Sequence, residues 1–224
     1  MELRPIARIR NSYREKFGIP RQSGLADIVS TIVFDQDFRD PNSVRGLEGF
    51  SHIWLIWGFS ENGPAEDGTF RPTVRPPRLG GNERMGVFAT RSPFRPNPVG
   101  LSCVRLTQVN MTDEGPVLVV TGADLMDGTP IYDIKPYLKD FDCHPEAQSG
   151  FVDAREYKTL QVVFPQGLLE KIDEPDRMAL IQALEQDPRP KYQDDPQRVY
   201  GMLFSDRNIR FRVSAGVLTV TDVT

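Results

Sequence analysis

Up to about residue 165 the chain shows no long helical period; short β-branched apolar runs alternate with turns marked by proline and glycine. Nineteen prolines and eighteen glycines are more than a helix bundle accepts, because each weakens or breaks the interior of an element. Strands are expected at Ile6–Ile9, Leu25–Phe34, Phe50–Phe59, Met85–Thr90, Leu101–Val109 and Val117–Thr121. Phe50–Phe59 is the most apolar of these, and its β-branched and aromatic content predicts a strand buried on both faces. Short strands separated by such turns argue for a barrel or a strongly curved sheet, a mainly β fold.

The C-terminal part reads differently. Glu174-Pro175-Asp176 opens a helix, with an acidic residue and a proline at its start. Met178, Ile181 and Leu184 fall close to one face of it, and Asp187-Pro188-Arg189-Pro190 ends it. Val199–Phe204, Ile209–Val213 and Val217–Val220 form a three-stranded meander. The expected division is therefore a barrel domain over 1–157 and a small α+β domain over 158–224. So small a unit buries little surface alone, so it is expected to pack on the barrel or on a second subunit.

The net charge of −4 speaks against a polyanionic partner until its distribution is read. Residues 1–21 hold six basic side chains against Glu2 and Glu15, and residues 71–105 hold seven arginines against Glu83 alone. Two arginine-rich segments on an otherwise acidic chain can form one positive face for a polyanion; alternatively they pair with the acidic excess elsewhere. The use of Arg alone in the second segment favours recognition of phosphate or carboxylate, since the planar fork matches both.

Several classes are disfavoured. No run approaches the ~20 apolar residues of a membrane span, and the N-terminus lacks the apolar core of a signal peptide. Two cysteines, Cys103 and Cys143, are too few for a disulfide scaffold or a Cys-rich zinc site, which suits a cytoplasmic protein, and no metal site is expected. The only histidines are His52, inside an apolar strand, and His144, beside Cys143; His52 reads as a core or interface residue, and Cys143-His144 as a poor dyad. No phosphate loop, dinucleotide fingerprint or nucleophile elbow is present. An enzyme of this composition relies on a bound cofactor for its reactive group.

Two segments carry chemistry. Arg91-Ser92-Pro93-Phe94-Arg95-Pro96-Asn97-Pro98-Val99-Gly100 has three prolines within six residues. Each restricts its own φ and the residue before it, so the loop is stiff before any ligand arrives. Arg91 and Arg95 bracket Phe94, presenting cations beside an aromatic face suited to phosphates and stacked bases; a structural turn or a polyproline interaction motif is the alternative. In the second segment, Asp124 to Tyr137, Asp127-Gly128-Thr129-Pro130 makes a tight turn whose free backbone groups could read an adenine edge. Asp124, Asp127 and Asp133 could face a cation, or be ordinary turn carboxylates.

Gly86–Gly100 followed by Asp127–Tyr137 closely resembles the TsaA-like (TrmO) family. Supporting blocks are Pro20-Arg21-Gln22, Val44–His52 and Arg71–Asn82, and the likeness spans roughly residues 4–140. Asp187–Tyr192 and Arg198–Phe204 resemble the C-terminal extension of its bacterial members. The resemblance implies a TsaA-like β-barrel that uses S-adenosyl-L-methionine to N6-methylate N6-threonylcarbamoyladenosine, beside the anticodon in the anticodon stem-loop of threonine tRNA. It implies a homodimer with the cofactor near the subunit interface. Cofactor contacts carried over by position fall on Gln22, Ser23, Gly24, Phe59, Ser60, Arg91, Leu101, Asp127, Gly128, Thr129, Pro130 and Ile131. Asp133 or Tyr137, both in the matched block, is expected to accept the N6 proton, and Arg75, Arg78 and Arg95 to hold anticodon-loop phosphates. A sulfonium donor fits the absence of a side-chain nucleophile, because positioning alone can supply ~7–11 kcal/mol. The rival readings are a non-catalytic RNA-binding barrel using the same basic face, a cysteine-dependent hydrolase, and a proline-loop adaptor.

Overall fold

A computed structural model describes residues 2–59, 69–76, 83–153, 158–190 and 195–224. Six strands close into a barrel in the order β1 (Ala7–Arg10), β2 (Val29–Phe34), β7 (Gly115–Thr121), β6 (Val99–Thr112), β3 (His52–Gly58) and β8 (Pro130–Pro136). Every neighbouring pair is antiparallel. The short β4 (Thr73–Val74) and β5 (Met85–Gly86) form a separate ribbon between β3 and β6. Alternation along each barrel strand sends one set of side chains into the lumen. Ile9, Ile32, Ile53, Leu55, Val104, Leu118, Val120 and Ile131 fill it, all fully or almost fully buried. The lumen is a packed core and leaves no channel.

Closure of an antiparallel barrel gathers alternate connections at the same end. The β1–β2, β3–β6 and β7–β8 connections therefore emerge together, and they carry Gln22–Gly24, Arg91–Asn97 and Gly122–Thr129. We call this end the rim.

The strands differ from expectation in informative ways. β3 is buried on one face only: Ile53, Leu55 and Trp57 point inward, whereas His52, Trp54 and Ile56 are half-buried on the outside. β2 starts at Val29, not Leu25, and Met85–Thr90 gives two strand residues followed by a 3-10 turn over Val87–Ala89. β6 runs for 14 residues because Val99–Arg105 pairs with β3 while Arg105–Thr112 pairs with β7.

After the short α1 (Lys139–Asp142), the C-terminal domain holds β9 (Gln161–Val163), α2 (Gln166–Leu169), α3 (Glu174–Glu185), β10 (Tyr200–Phe204), β11 (Arg207–Ser214) and β12 (Val217–Val223). Its meander is as expected, and β9 adds a fourth strand parallel to β12. The buried stripe of α3 is Ala179, Leu180, Ala183 and Leu184; Met178 faces solvent. Small residues at 179 and 183 let the helix approach closely, which bulkier Met178 would prevent.

This domain packs on the barrel. Tyr13 bridges Phe204, the Ser205 amide donates to Ser12 O at 2.7 Å, and the Leu203 amide donates to Glu15 Oε1 at 2.6 Å. Ser12 Oγ donates to Asp176 Oδ2 at 2.5 Å, and Phe17 stacks on Phe211. One continuous apolar core spans both units. The expected division at 157/158 adjoins residues 154–157, which lie outside the described residues. Among the described residues no helix is long and apolar enough to cross a membrane.

Candidate active site

The rim brings residues far apart in sequence into one polar cluster. Gln22 Oε1 accepts from Arg91 Nη1, tying the β1–β2 connection to the proline-rich loop. Asp124 lies within the same cluster. Its Oδ1 accepts Ser102 Oγ at 2.5 Å, and the Ser23 amide also donates to it. Ser102 in turn accepts Trp57 Nε1 at 3.0 Å. Burial pushes the Asp124 carboxyl above its ordinary range, and the Ser102 hydroxyl, the Arg91 charge and the Ser23 amide each oppose that rise. Phe59 lies against Trp57 with ring centroids 4.4 Å apart. A Cβ at Gly100 would sit inside the Trp57 indole, so only glycine lets that ring lie across β6.

Tyr13 enters the cluster from the domain junction. Its hydroxyl is buried and has no hydrogen-bond partner among the described residues. Burial raises its pKa most, and the charges of Asp124 and Asp176 add to the rise.

The turn Asp127-Gly128-Thr129-Pro130 does not offer free amides. Asp127 N donates to Tyr13 O, Gly128 N to Ile9 O and Thr129 N to Met126 O, while Gly128 O accepts Arg8 Nη1. The Asp127 carboxylate accepts the Asn11 amide at 3.1 Å and pairs with Arg14 at 2.5 Å. The turn clasps the end of β1 onto β8. Thr129 and Ile131 are buried, leaving Asp127, Gly128 and Pro130 partly accessible.

Asp133 and Leu101 lie instead in one cross-strand row on the outer wall, on either side of Ile56. Cross-strand register aligns Asp133 with Ile56 and Ile56 with Leu101, about 10 Å from end to end at the usual strand spacing. Asp133 is half exposed, with Oδ2 3.0 Å from Lys135 Nζ and Oδ1 accepting the Ile134 amide. A bulge between Ile56 and Trp57, with Tyr132 as the extra residue, bends β8 beside this row. A side chain at Gly58 would strike the Tyr132 ring.

Tyr137 is not brought to this group. It follows β8 at the end opposite the rim, about 13 Å along the strand from Asp133, with its amide donating to His52 O. Its ring neighbours are His52 and Trp54. Burial chiefly raises its pKa, with Cys143, Cys103 and Asp142 contributing. His52 Nδ1 lies 2.9 Å from Ser51 Oγ, and His144 lies 3.6 Å from Glu146, so neither histidine is joined to a cysteine as a dyad.

Among the RNA candidates, Arg75 is exposed after β4, whereas Arg95 Nη1 staples its own loop through Thr90 O at 3.1 Å and Ser92 O. Phe94 is exposed, as is Phe88, which stacks on Phe70. Ser60 and Arg78 lie outside the described residues. Asp124, Asp127 and Asp133 each have different partners, and the described residues contain no group of three side chains suited to a metal ion.

Sequence reasoning missed Ser102 and Trp57 as site residues and left Asp124 unassigned. Strand parity was the available signal: Ser102 is a hydroxyl at an inward-facing position, which demands a buried partner.

A closed β-barrel with a guanidinium, a carboxylate and an aromatic gathered at one rim defines a small-ligand site built on connections, as in other barrel proteins. Comparison with known proteins makes the assignment specific. The model of the tRNA-methyltransferase O N-terminal domain matches residues 8–143, and that of the TrmO C-terminal domain matches 147–224. The chain belongs to the TrmO family. An Escherichia coli tRNA (adenine(37)-N6)-methyltransferase is 40% identical over 93% of this chain and 92% of its own length. A Pseudomonas aeruginosa relative, provisionally named an S-adenosylmethionine-dependent methyltransferase, is 38% identical over 92% of this chain and 90% of its own. A crystal structure of TrmO from Pseudomonas aeruginosa superposes with a TM-score of 0.78 at 30% identity, covering 100% of this chain and 98% of that one.

Proposed function

We propose that this chain N6-methylates N6-threonylcarbamoyladenosine beside the anticodon of threonine tRNA, using S-adenosyl-L-methionine. Methylation of tRNA adenine at position 37 is the activity named for its full-length relative, and that likeness across both domains carries the reading. When bound, the cofactor supplies an activated methyl on a sulfonium.

The rim fits such a ligand. Arg91, held by Gln22, suits a carboxylate; Asp124 suits an ammonium; and Phe59 offers a flat apolar surface for a base. Gln22, Ser23, Gly24, Phe59, Arg91 and Leu101 hold the cofactor, with the accessible part of Asp127–Pro130 bordering it. Asp133 accepts the N6 proton: its carboxylate is half exposed and shares a cross-strand row with Leu101. The position of Tyr137 beyond the far end of β8 favours Asp133 over it for that role. Arg75 meets anticodon-loop phosphate, with Phe88 and Phe94 as stacking surfaces.

The protein acts as a homodimer in the cytoplasm. The outer wall supports the dimer, since Trp54, Ile56, Leu101 and Cys103 form an apolar band there, continued by Leu138 and the strongly exposed Phe141. Sedimentation as a monomer at micromolar concentration would remove the dimer. The function itself is tested by mass spectrometry of nucleosides from threonine tRNA incubated with the protein and methyl-labelled cofactor. Label on the N6 position of the threonylcarbamoyl nucleoside supports it; tRNA binding without any label favours the non-catalytic barrel.

A further inference from the structure

The C-terminal sheet has one face on the core and one in solvent. In β11 the side chains of Ile209, Phe211 and Val213 are buried, and those of Arg210 and Arg212 stand on the open face. β11 has a partner strand on each side, so the two guanidinium groups lie at the centre of that face. Their cross-strand neighbours are small or uncharged at Gly201 and Thr219, and Asp222 stands opposite Arg210. No ion pair or hydrogen bond from either guanidinium is formed among the described residues. The domain is polarised: α3 and the turn before it carry Asp173, Glu174, Asp176 and Glu185 against Arg177 alone, while Arg198 to Arg212 includes four arginines and one acid, Asp206.

The β10–β11 hairpin meets the barrel beside the rim. Phe204 bridges Tyr13 and pairs with Arg207 in the β10–β11 hairpin, and Ser205 is hydrogen-bonded to Ser12. On the barrel side of that seam, Arg8 and Arg10 are exposed on β1, and Arg14 follows. Cations therefore run from the Asp127 turn across the seam onto β11. Two unpaired arginines at i and i+2 stand about 7 Å apart on a rigid strand, a spacing and charge that suit a repeating anion.

We propose that the open face of the C-terminal sheet, through Arg210 and Arg212, binds the phosphate backbone of the tRNA outside the anticodon loop. The inference rests on the tRNA reading above and deepens it: the loop is held at the rim, and the sheet extends the footprint along the body. Contacts of this kind fix register without reading sequence.

The test compares the full-length protein with Arg210→Ala/Arg212→Ala and with Arg210→Glu/Arg212→Glu. Binding of whole tRNA and of a loop-only heptanucleotide is measured over a salt series, with calorimetric S-adenosylmethionine binding and a melting curve as controls for the fold. Loss of two phosphate contacts lowers the slope of log K against log salt by roughly 1.8 in the alanine variant. Whole-tRNA affinity falls at low salt and falls further with glutamate. Heptanucleotide and cofactor binding stay at the wild-type value. An unchanged salt slope in both variants overturns the proposal, and equal losses on tRNA and heptanucleotide overturn it too. A changed oligomeric state with an unchanged tRNA slope assigns the face to a second copy instead. Failure of the wild-type protein to methylate or bind tRNA would instead count against the function itself.

Discussion

Replacing Ser102 with alanine cuts the relay from Trp57 to Asp124 at its middle. Ser102 is 2% exposed and Trp57 8%, so neither lost bond is replaced freely by water. The indole N–H is left without an acceptor, at a cost of about 1–3 kcal/mol, and the hydroxyl-to-carboxylate bond is worth ~1.5–3 kcal/mol. Asp124 keeps the Ser23 amide as a donor, so its loss belongs at the lower end, giving roughly 2–4 kcal/mol in total. For a chain of this size that corresponds to a fall in Tm on the order of 10 °C. Because the Ser102 hydroxyl holds the Asp124 carboxyl down, its removal also moves that carboxyl further up. The midpoint of pH-dependent cofactor binding should follow. Trp57→Phe removes the orphaned donor, so the double variant should be less damaged than the sum of the singles, with a coupling of about 0.5–3 kcal/mol. Urea unfolding of the four proteins measures this. A Ser102→Ala variant within ~0.5 kcal/mol of wild type, or strict additivity in the cycle, refutes the relay.

Other expectations are independent of that cycle. Gly100→Ala drives a methyl into the Trp57 ring and should cost ~1–3 kcal/mol by overpacking, read as a lower denaturation midpoint; an unchanged midpoint would mean the ring moves freely. Asp127→Ala removes the acceptor of Asn11 and Arg14 and should destabilise by about 1–3 kcal/mol, with the β1 amides exchanging faster. Asp133→Asn should slow single-turnover methyl transfer by about 10²–10⁴-fold while Tyr137→Phe leaves it unaltered, and the reverse pattern would restore Tyr137 as the base. Burial raises the folded-state Asp124 carboxyl above its unfolded value of 3.8. The folded protein thus holds that proton longer, and this group's stability contribution is lost as pH rises through its folded value. Asp124→Asn should flatten that part of the stability–pH curve, and an identical curve would show that Asp124 is not the group responsible.

Much of the barrel was legible because period-two alternation and proline punctuation are local signals. The inward set Ile53, Leu55 and Trp57 follows from the sequence once β3 is a strand. Its outer set did not, because Trp54 and Ile56 are apolar on a solvent-facing wall, and composition alone cannot tell an apolar exterior from a core. The helix lies where the sequence places it, and Leu184 of the expected face is buried, but Met178 is not: it looks apolar, yet close packing selects small Ala179 and Ala183.

Local chemistry determined the fold class, the stiffness of Arg91–Gly100 and the presence of a basic surface on an acidic chain, and the family likeness rested on long ordered blocks. Only the tertiary structure decided which groups meet. Barrel closure brings Gln22 to Arg91 and Ser102 to Asp124, pairs separated by tens of residues that no spacing rule connects. The same closure separates Tyr137 from Asp133 although both lie in one short block, because a strand is extended and each residue moves the chain ~3.3 Å onward. It also consumes the amides of Asp127 and Gly128 in holding the segment that ends β1, since a turn inside a barrel must satisfy its backbone with whichever strand closure sets beside it.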